Sequence, residues 1–333
     1  MYLLSGGLGG IGVEIARHLL QQHEARLLLI GRTPLAAGSR SGSSEETGER
    51  LARSRVYHDL EQLPGSVCYE AVDVCDLEGV RRVVAQARER WQCDLDGVIH
   101  LAGTYQETLI LDETRESLAA VLRPKVLGAW ALSQLLDHHP NKVFITFSSL
   151  SGVFGGALVG AYAAANSFLA GFARRHRCER AAKTFCLDWS TWDELGMSRA
   201  HAMKETTRSR GYYAMPREQA LHSFLAALHL DPGEILIGLD GCNERIRRYL
   251  ETDAIRMRTL SAYFTHATGE VIADPVRTLV VRDLFGTPVG CDLRPLEELP
   301  RTAAGEIDRE HLARLRKLPD SAGMVPVAPR PDL

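Results

Sequence analysis

Three side chains within residues 148–166 have the types and spacing needed for chemistry on a carbonyl group. Ser149 follows the apolar, β-branched run 142–147, which predicts a buried parallel strand. Tyr162 opens a run of small residues that predicts a helix, and Asn166 lies one turn further along the same helix face. In open α/β sheets ligands bind at the carboxyl ends of the strands, where this hydroxyl, phenol and carboxamide would meet.

The chemistry that this group suggests is one half of a carbonyl reduction. A positioned phenol and hydroxyl can hold a carbonyl oxygen and protonate it. Because a tyrosine phenol has a pKa of about 10, it is a poor acid at neutral pH unless a cation lowers that pKa. No side chain supplies the hydride, so the other half of the reaction requires a nicotinamide cofactor.

The first twenty residues carry the pattern of a dinucleotide-binding loop. Residues 1–4 predict a strand, a glycine-rich turn follows, and residues 13–20 predict an amphipathic helix. Glycines let the backbone approach a pyrophosphate, and a helix N-terminus offers free N–H groups to it. A purely structural glycine turn is the alternative. On the cofactor interpretation, the residues that bind are Gly6, Gly7, Leu8, Gly9, Gly10, Ile11 and Gly12.

The residue after the second strand favours NADPH over NADH. Strand 26–30 is followed by Gly31 and Arg32, where an NAD-binding protein would usually carry an acid. A basic residue suits the 2′-phosphate of NADPH. The alternative is that Arg32 is a solvated surface arginine, and the glycine loop upstream favours the NADPH interpretation.

Acidic and small residues follow the third and fourth strands. Asp73 and Val74 close the third strand beside the expected adenine position. Ala102 and Gly103 follow the fourth, where small residues let the backbone pack against the cofactor. His100, just before them, is expected to be a packed structural histidine rather than an acid–base group.

Strands and helices alternate along most of the chain. This alternation predicts an α/β fold, a Rossmann-like doubly wound parallel sheet with a small α+β appendage at the carboxyl end. The predicted strands are residues 1–4, 26–30, 66–72, 95–99, 142–147, 184–189 and 234–239.

Helices are predicted between these strands, with Asp76 as the N-cap of the second. They are residues 13–20, 76–91, 114–136, a helix beginning at 162, and 216–228.

Two polar segments interrupt this pattern. Residues 36–48 are a polar, flexible insertion to which no function is assigned. The segment from Trp192 to about Met215 predicts a lid over the site. Arg208 and Arg210 in that lid could meet a phosphate, but a solvated lid face is the favoured interpretation.

Composition excludes several classes of function. The 333 residues are 45% hydrophobic and 24% charged, and the net charge of −3 gives no global attraction to nucleic acid or anionic membrane. No apolar run is long enough to span a bilayer. The seven cysteines form no Cys-x-x-Cys pair, which argues against a disulfide framework and a zinc site, so no metal is predicted and a cytoplasmic location is expected.

Taken together, these residues resemble the catalytic half of the ketoreductase domains of modular polyketide and non-ribosomal peptide synthases. Those domains belong to the short-chain dehydrogenase/reductase superfamily. Ordinary members of the superfamily carry Tyr-x-x-x-Lys, whereas this chain has Tyr162 and Asn166 with a lysine upstream at Lys125, as in the synthase ketoreductases. The resemblance covers about residues 1–250, and the matching pieces are residues 5–12, 100–103, 123–125, 148–166 and 189–197.

The resemblance implies a role for each of four catalytic residues. Tyr162 would donate the proton, and Ser149 would donate a hydrogen bond to the carbonyl. Lys125 would lower the pKa of the phenol, and Asn166 would order a proton relay. The implied cofactor is NADPH, lying along Gly6–Gly12, and the implied partners are a phosphopantetheinyl carrier protein bearing the substrate and neighbouring synthase domains.

The chain departs from that family in two respects. The family normally carries a truncated, cofactor-free half before the first strand, so that half is expected elsewhere or the chain is a fragment. The stereochemical markers also differ. Thr104-Tyr105-Gln106 replaces Leu-Asp-Asp, and Phe154 replaces a tryptophan, so no product configuration is predicted.

The carboxyl-terminal part resembles a second family. Residues 295–309 are similar to the closing motif of adenylate-forming domains, but Glu306 replaces the lysine that would contact the adenylate. A carboxylate there would repel the phosphate, which argues against adenylation by this segment. Such remnants resemble those in modules that reduce an α-keto acid on the carrier.

Four domains are therefore expected. Residues 1–250 are expected to form a ketoreductase catalytic domain, 251–270 a connector, 271–318 an adenylation remnant, and 319–333 a proline-rich linker towards a carrier protein. Within the remnant, a strand is predicted at 276–281 and a helix that ends at about 316.

Competing functions follow from these features. The favoured one is NADPH-dependent reduction of an α-keto acyl thioester in a depsipeptide-forming synthetase. The alternatives are β-ketoacyl reduction in a polyketide module and a catalytically idle scaffold. A free-standing dehydrogenase is disfavoured by the upstream Lys125 and by the tail.

Overall fold

The computed structural model describes most of the first 251 residues and short stretches beyond them. The described residues are 1–36, 44–136, 141–180, 182–193, 208–241, 243–251, 260–265, 291–296, 298–302, 305–309 and 311–312. The chain divides into two compact units, Met1–Arg248 and Tyr249–Leu333.

The first unit is built on a single parallel sheet. Its strands are β1 (Tyr2–Ser5), β2 (Arg26–Gly31), β3 (Ser66–Ala71), β4 (Gly97–His100), β5 (Val143–Ser149), β6 (Lys183–Trp189) and β7 (Glu234–Ile237). They lie in the order β3-β2-β1-β4-β5-β6-β7. The chain order reverses between β1 and β4, which is the switch point of a doubly wound sheet. The predicted Rossmann-like fold is thus confirmed.

Helices cover both faces of the sheet. They are α1 (Gly10–His23), α2 (Ser44–Glu61), α3 (Leu77–Trp91), α4 (Arg115–Ser133), α5 (Leu150–Phe154), α6 (Gly160–Glu179), α7 (Arg217–Ala227) and α8 (Glu244–Glu251). The sequence did not predict α2, α5 or α8. The start of α2 falls within the predicted flexible insertion. The helix was not predicted because its many polar residues do not form an apolar stripe. The single-turn α5 lies among glycines that predict a loop.

The strands are apolar on both faces because each face is covered by helices. Leu3 and Leu28 pack with α3, α4 and α6 on one face. Their neighbours Leu4 and Leu29 pack with α1 and α7 on the other. This double burial explains why β1 and β2 are continuous apolar runs rather than alternating ones.

The second unit contains a two-stranded parallel sheet, β8 (Leu260–Thr265) with β9 (Cys291–Leu296). Strand β8 lies within the predicted connector 251–270, so that connector is not purely a linker. Residues 298–302 and 305–309 form a turn in which Arg301 pairs with Ile307 and Gly305 has a φ of 84°. The predicted strand 276–281, the predicted helix end near 316 and the linker 319–333 lie outside the described residues.

The contribution of the α3 N-cap to stability can be measured by mutation. The Asp76 carboxylate accepts a hydrogen bond of 3.0 Å from the Gly79 N–H, as the sequence predicted for an N-cap. We expect Asp76→Ala to lower the free energy of unfolding by about 1 kcal/mol, because an orphan N–H loses its acceptor. Urea unfolding followed by circular dichroism measures this change. Glu89→Ala, which removes an exposed carboxylate from the same helix, is the matched control.

If both variants shifted the unfolding midpoint equally, general loss of charge rather than the cap would explain the result.

Candidate active site

A cavity of about 810 Å³ opens at the carboxyl edge of the sheet in the first unit. Most of the predicted site residues line it: Gly6, Leu8, Gly9, Gly10, Ile11, Gly12, Arg32, Asp73, Val74, Ala102, Gly103, Lys125, Ser149 and Tyr162. Gly7 and Asn166 do not. One cavity therefore joins the predicted cofactor loop to the predicted catalytic groups.

The glycine turn between β1 and α1 is packed too closely for side chains. Gly6 has a φ of 71°, and a Cβ there would lie 3.0 Å from the backbone nitrogen of Ala102. A Cβ on Gly12 would lie 2.6 Å from the Gly6 carbonyl oxygen. Gly9 begins α1 without a side-chain cap, so the first N–H groups of the helix are open to a ligand.

Gly7 is not among the residues that line the cavity, and its position in the turn is set by packing. A Cβ on Gly7 would lie 2.8 Å from the Leu29 side chain, so this glycine allows the turn to pack against β2. Sequence alone could not separate this packing glycine from its neighbours, since all of them belong to the same motif.

Positive charge gathers at the β2–β3 end of the cavity. Arg32 follows β2, Arg53 comes from α2 and Arg123 from α4, and all three line the cavity. Burial and then Asp73 raise the pKa of the Cys75 thiol to about 11, while Arg123 and Arg32 act in the opposite direction. Asp73, Arg123 and Arg32 thus all lie near enough to the Cys75 thiol to shift its pKa.

Asp73 is fixed beside these arginines by a backbone contact. Its carboxylate accepts a hydrogen bond of 2.9 Å from the Cys75 N–H. The three arginines and one carboxylate leave an excess of positive charge, which suits a phosphate on a ribose. The sequence analysis missed Arg53 because α2 was not predicted.

His100 is structural, as predicted. It is fully buried, and its Nδ1 lies 2.6 Å from the Ser5 hydroxyl. Burial, followed by the charge of Lys125, lowers the pKa of His100 to about 3, so the imidazole is neutral. The neutral imidazole thus links the end of β4 to Ser5 at the end of β1, and His100 is not among the residues that line the cavity.

Ser149 and Tyr162 meet at the centre of the cavity. Ser149 ends β5 and caps α5, where its hydroxyl accepts a hydrogen bond of 3.2 Å from the Ser151 N–H. Tyr162 lies in the first turn of α6, and its phenol is within hydrogen-bonding reach of the Ser149 hydroxyl. A carbonyl oxygen can therefore contact both hydroxyl groups.

Tyr105 forms an additional wall of the cavity that the sequence analysis did not assign to the site. Its ring lies edge-on to Tyr162, with centroids 5.2 Å apart and an interplanar angle of 78°. Its hydroxyl donates a hydrogen bond of 2.6 Å to Glu107. Tyr105 thus restricts the space beside the phenol.

Lys125 is buried behind these hydroxyl groups. Its side chain is 4% exposed, and its amine donates a hydrogen bond of 2.8 Å to the Phe147 carbonyl. A Cβ on Gly103 would lie 3.0 Å from Cε of Lys125, so the glycine at that position makes room for the side chain. The lysine is therefore a buried residue of the cavity wall rather than a solvated surface group.

Asn166 supports the first turn of α6 from behind the cavity. Its Nδ2 donates a hydrogen bond of 2.8 Å to the Tyr162 carbonyl. Within the part of the chain that the structure describes, its Oδ1 has no hydrogen-bond partner although the side chain is fully buried. The carboxamide thus holds the helix turn and keeps one acceptor free.

Burial and hydrogen bonding act on the pKa of the Tyr162 phenol in opposite directions. Burial raises that pKa, and hydrogen bonding with Ser149 and then Asn166 offsets this only in part. The amine of Lys125 donates to the Phe147 carbonyl, so its predicted influence on the phenol stays a prediction. The raised pKa keeps the phenol protonated at neutral pH, so it can serve as a donor.

The described part of the predicted lid lies against the cavity. Trp192 pairs with Met215, and Tyr212 pairs with Leu239. Tyr212 and Arg210 both line the cavity, whereas Arg208 does not. Arg208 is exposed, in line with the favoured interpretation of a solvated lid face, whereas the half-buried Arg210 lines the cavity. Residues 194–207 of the lid lie outside the described part.

The described residues contain no group of three or more His, Cys, Asp or Glu side chains that could hold a metal. In the same residues, no helix is both long and apolar enough to cross a membrane.

The sequence of the chain is similar to known synthase domains. A family model described as KR domain matches residues 1–194. Polyketide synthase PksN of Bacillus subtilis is 28% identical over 276 residues, which cover 80% of this chain and 5% of that protein. The chain thus spans a small part of the length of the curated relatives it matches.

Two solved structures are similar to the chain. A ketoreductase domain from the bacillaene assembly line gives a TM-score of 0.65 at 28% identity, covering 75% of this chain and 58% of that one. An adenylation, ketoreductase and pseudo-Asub multidomain structure of a keto acid-selecting NRPS module gives 0.66 at 29%, covering 95% of this chain and 26% of that one.

The close packing of the glycine turn makes a testable prediction. We expect Gly12→Ala to weaken NADPH binding at least tenfold, because the added Cβ would lie 2.6 Å from the Gly6 carbonyl and force the turn apart. Fluorescence titration of NADPH measures this affinity. Gly171→Ala is the control, since a Cβ at that exposed position of α6 meets nothing within 4 Å.

Equal affinities in the two variants would show that the turn does not hold the cofactor.

Proposed function

Because the chain belongs to the KR (ketoreductase) domain family, we propose that it reduces the keto group of an acyl thioester to a hydroxyl with NADPH. The observation that carries this proposal is that Ser149, Tyr162 and Lys125 share one cavity with the glycine turn and its arginines. The thioester would be carried on a phosphopantetheinyl carrier protein. Neighbouring synthase domains are the other proposed partners.

The proposed cofactor fits the residues present. The turn at Gly6–Gly12 leaves no room for side chains and presents the N-terminus of α1. Arg32, Arg53 and Arg123 would hold the 2′-phosphate, and Asp73 with Val74 would border the adenine. Ala102 and Gly103 would lie against the nicotinamide side. When bound, NADPH supplies the hydride that adds to the carbonyl carbon.

The residues of the chain complete that reduction with a proton. The Ser149 hydroxyl holds the carbonyl oxygen by a hydrogen bond, and the Tyr162 phenol donates its proton to the same oxygen. Lys125 stabilises the phenolate that remains, and Asn166 orders the path by which a proton returns. The C=O bond thus gains a hydride on carbon and a proton on oxygen.

An α-keto acyl group is the favoured substrate. In support, the keto acid-selecting module matches 95% of this chain, which includes residues of both units. The proposed organisation keeps residues 1–250 as the catalytic domain, 251–270 as a connector, 271–318 as an adenylation remnant and 319–333 as a linker.

The remnant would not adenylate. Glu306, exposed on the turn after Gly305, places a carboxylate where an adenylate phosphate would require a cation.

Reduction of a β-keto group is the second candidate. The similarity to polyketide synthase PksN and to the bacillaene ketoreductase supports it to the same degree. An idle scaffold is the third candidate, and the presence of all four catalytic residue types in one place argues against it.

Two thioesters distinguish these candidates. We expect the full chain to oxidise NADPH with an α-keto acyl pantetheine thioester and to turn over the β-keto analogue at least tenfold more slowly, measured by absorbance of NADPH. Tyr162→Phe should lose about 10²- to 10⁴-fold in kcat while NADPH affinity stays unchanged, because only the proton donor is removed. Exclusive turnover of the β-keto compound would favour the polyketide alternative, and turnover of neither would support a scaffold.

The arginines predict the choice of coenzyme. We expect Arg32→Ala to raise the KM for NADPH about tenfold and to leave the KM for NADH nearly unchanged, because only NADPH carries the 2′-phosphate. Steady-state kinetics with both coenzymes measures the ratio. Arg26→Ala, an exposed arginine at the opposite end of β2, is the matched control. A parallel change for both coenzymes would place Arg32 away from the phosphate.

A further inference from the structure

Two charged side chains are buried in the first unit, and the proposed reaction uses only one of them. Lys125 is 4% exposed and Asp188 is 0% exposed. Among the side chains that the structure describes, no other lysine, arginine, aspartate or glutamate is buried to this degree. Because burying a charge without compensation is costly, two isolated opposite charges at the same depth require an explanation.

Asp188 lies on the strand beside the catalytic strand. It pairs in register with Ser148 across the β5–β6 ladder. Registered neighbours in a sheet point to the same face. The Ser148 hydroxyl donates a hydrogen bond of 3.2 Å to the Asn166 carbonyl, which shows that this face lies under α6. The Asp188 carboxyl thus faces the helix layer that carries the catalytic groups.

Lys125 approaches the same place from the other helix. Its amine is bonded to the carbonyl of Phe147, the residue before Ser148 on β5. Helices α4 and α6 pack against each other, so the lysine and the carboxyl lie under one layer. Neither oxygen of Asp188 has a hydrogen-bond partner among the described residues.

We propose that Asp188 is a positioning residue whose buried carboxylate keeps the Lys125 amine protonated behind Tyr162. It acts through the lysine and touches neither substrate nor cofactor. The link to catalysis rests on the ketoreductase activity proposed above, whereas the charge interaction itself does not.

Among the groups that shift the pKa of Lys125, Asp188 is the one that can supply a negative charge, as its carboxyl ionises near pH 8. Burial lowers the pKa of Lys125 to about 8, and Cys186 and Asp188 act in the opposite direction. Burial raises the pKa of the Cys186 thiol, so that thiol carries no charge at neutral pH. His100, which faces the lysine from β4, is neutral for the reason given above.

The groups around Asp188 act in both directions. Burial raises the pKa of its carboxyl to about 8, the neighbouring Ser148 hydroxyl lowers that pKa, Glu234 on β7 raises it, and Lys125 lowers it. The lysine thus favours the ionised carboxyl, just as the carboxylate favours the ammonium. Since each group favours the charged form of the other, removal of either charge should be felt at the remaining one.

Asp188→Asn tests this, because the amide keeps the size of the side chain and removes its charge. Competitive labelling of the full chain with acetic anhydride, quantified by mass spectrometry, gives the pKa of Lys125 without any need for activity. We expect it to fall by about one unit, with the exposed Lys183 of the same strand as an unchanged internal reference. If the asparagine variant does not fold, Asp188→Ser carries the same expectation.

The pH dependence of kcat/KM with the better pantetheine thioester gives the second measurement. A basic limb that moves one unit towards acid predicts about eightfold loss near pH 8.5 and less than twofold near pH 6.5. Glu234→Gln is the matched control, since it removes a carboxylate from the neighbouring strand that is partly exposed and lies 3.5 Å from Arg174. Because Glu234 raises the pKa of Asp188, its removal favours the Asp188 carboxylate, so the basic limb should not move towards acid.

The outcomes separate the two proposals. An unchanged Lys125 pKa, or an equal loss of activity at every pH, would overturn the role of Asp188. A shifted Lys125 pKa in a chain that reduces no thioester would support the charge interaction and overturn the proposed function.

Discussion

The parallel, in-register pairing of β1, β4 and β5 is the constraint on which the site depends. Ser5 pairs with His100, and His100 pairs with Thr146, so the three strands reach the same level before they end. The glycine turn and the Ala102–Gly103 segment follow the ends of β1 and β4, and Ser149 is the last residue of β5. A shift of one residue in any of these ladders would turn the side chains to the opposite face and separate the cofactor loop from the hydroxyl groups.

Burial acts on the two central groups of the site in opposite senses. It keeps the Tyr162 phenol protonated, which suits a proton donor, and it favours loss of the proton from Lys125, which does not. A cavity that excludes water strengthens the remaining charge interactions. The site thus needs a group that keeps the Lys125 amine protonated, and the buried carboxyl of Asp188 on the adjacent strand is the group that we propose for this role.

Close packing links the two halves of the cavity. Gly6 lies against Ala102, and Gly103 lies against the stem of Lys125. Glycine at these positions lets the cofactor loop, the β4 end and α4 contact each other without intervening side chains. Displacement of the turn would therefore reach the lysine through two contacts. Small residues are therefore needed both at Gly6 and at Gly103, although these positions are far apart in sequence.

The sequence by itself determined the sheet, the glycine turn and the candidate catalytic groups. The first two and the pair Ser149 and Tyr162 follow from local patterns, namely apolar strands and the spacing of residues, whereas Lys125 came from the family resemblance. Helix α2 was not predicted because its polar residues give no apolar stripe, and Arg53 was missed with it.

Only the tertiary structure decided which residues converge. It placed Gly7 against Leu29 rather than in the cavity, brought Tyr105 against Tyr162, and bonded Lys125 to a backbone carbonyl. It also placed Asp188 under the catalytic helices. The physical reason is that strand register and burial set these contacts and the charges they stabilise, and neither is encoded in the spacing of residues along one segment.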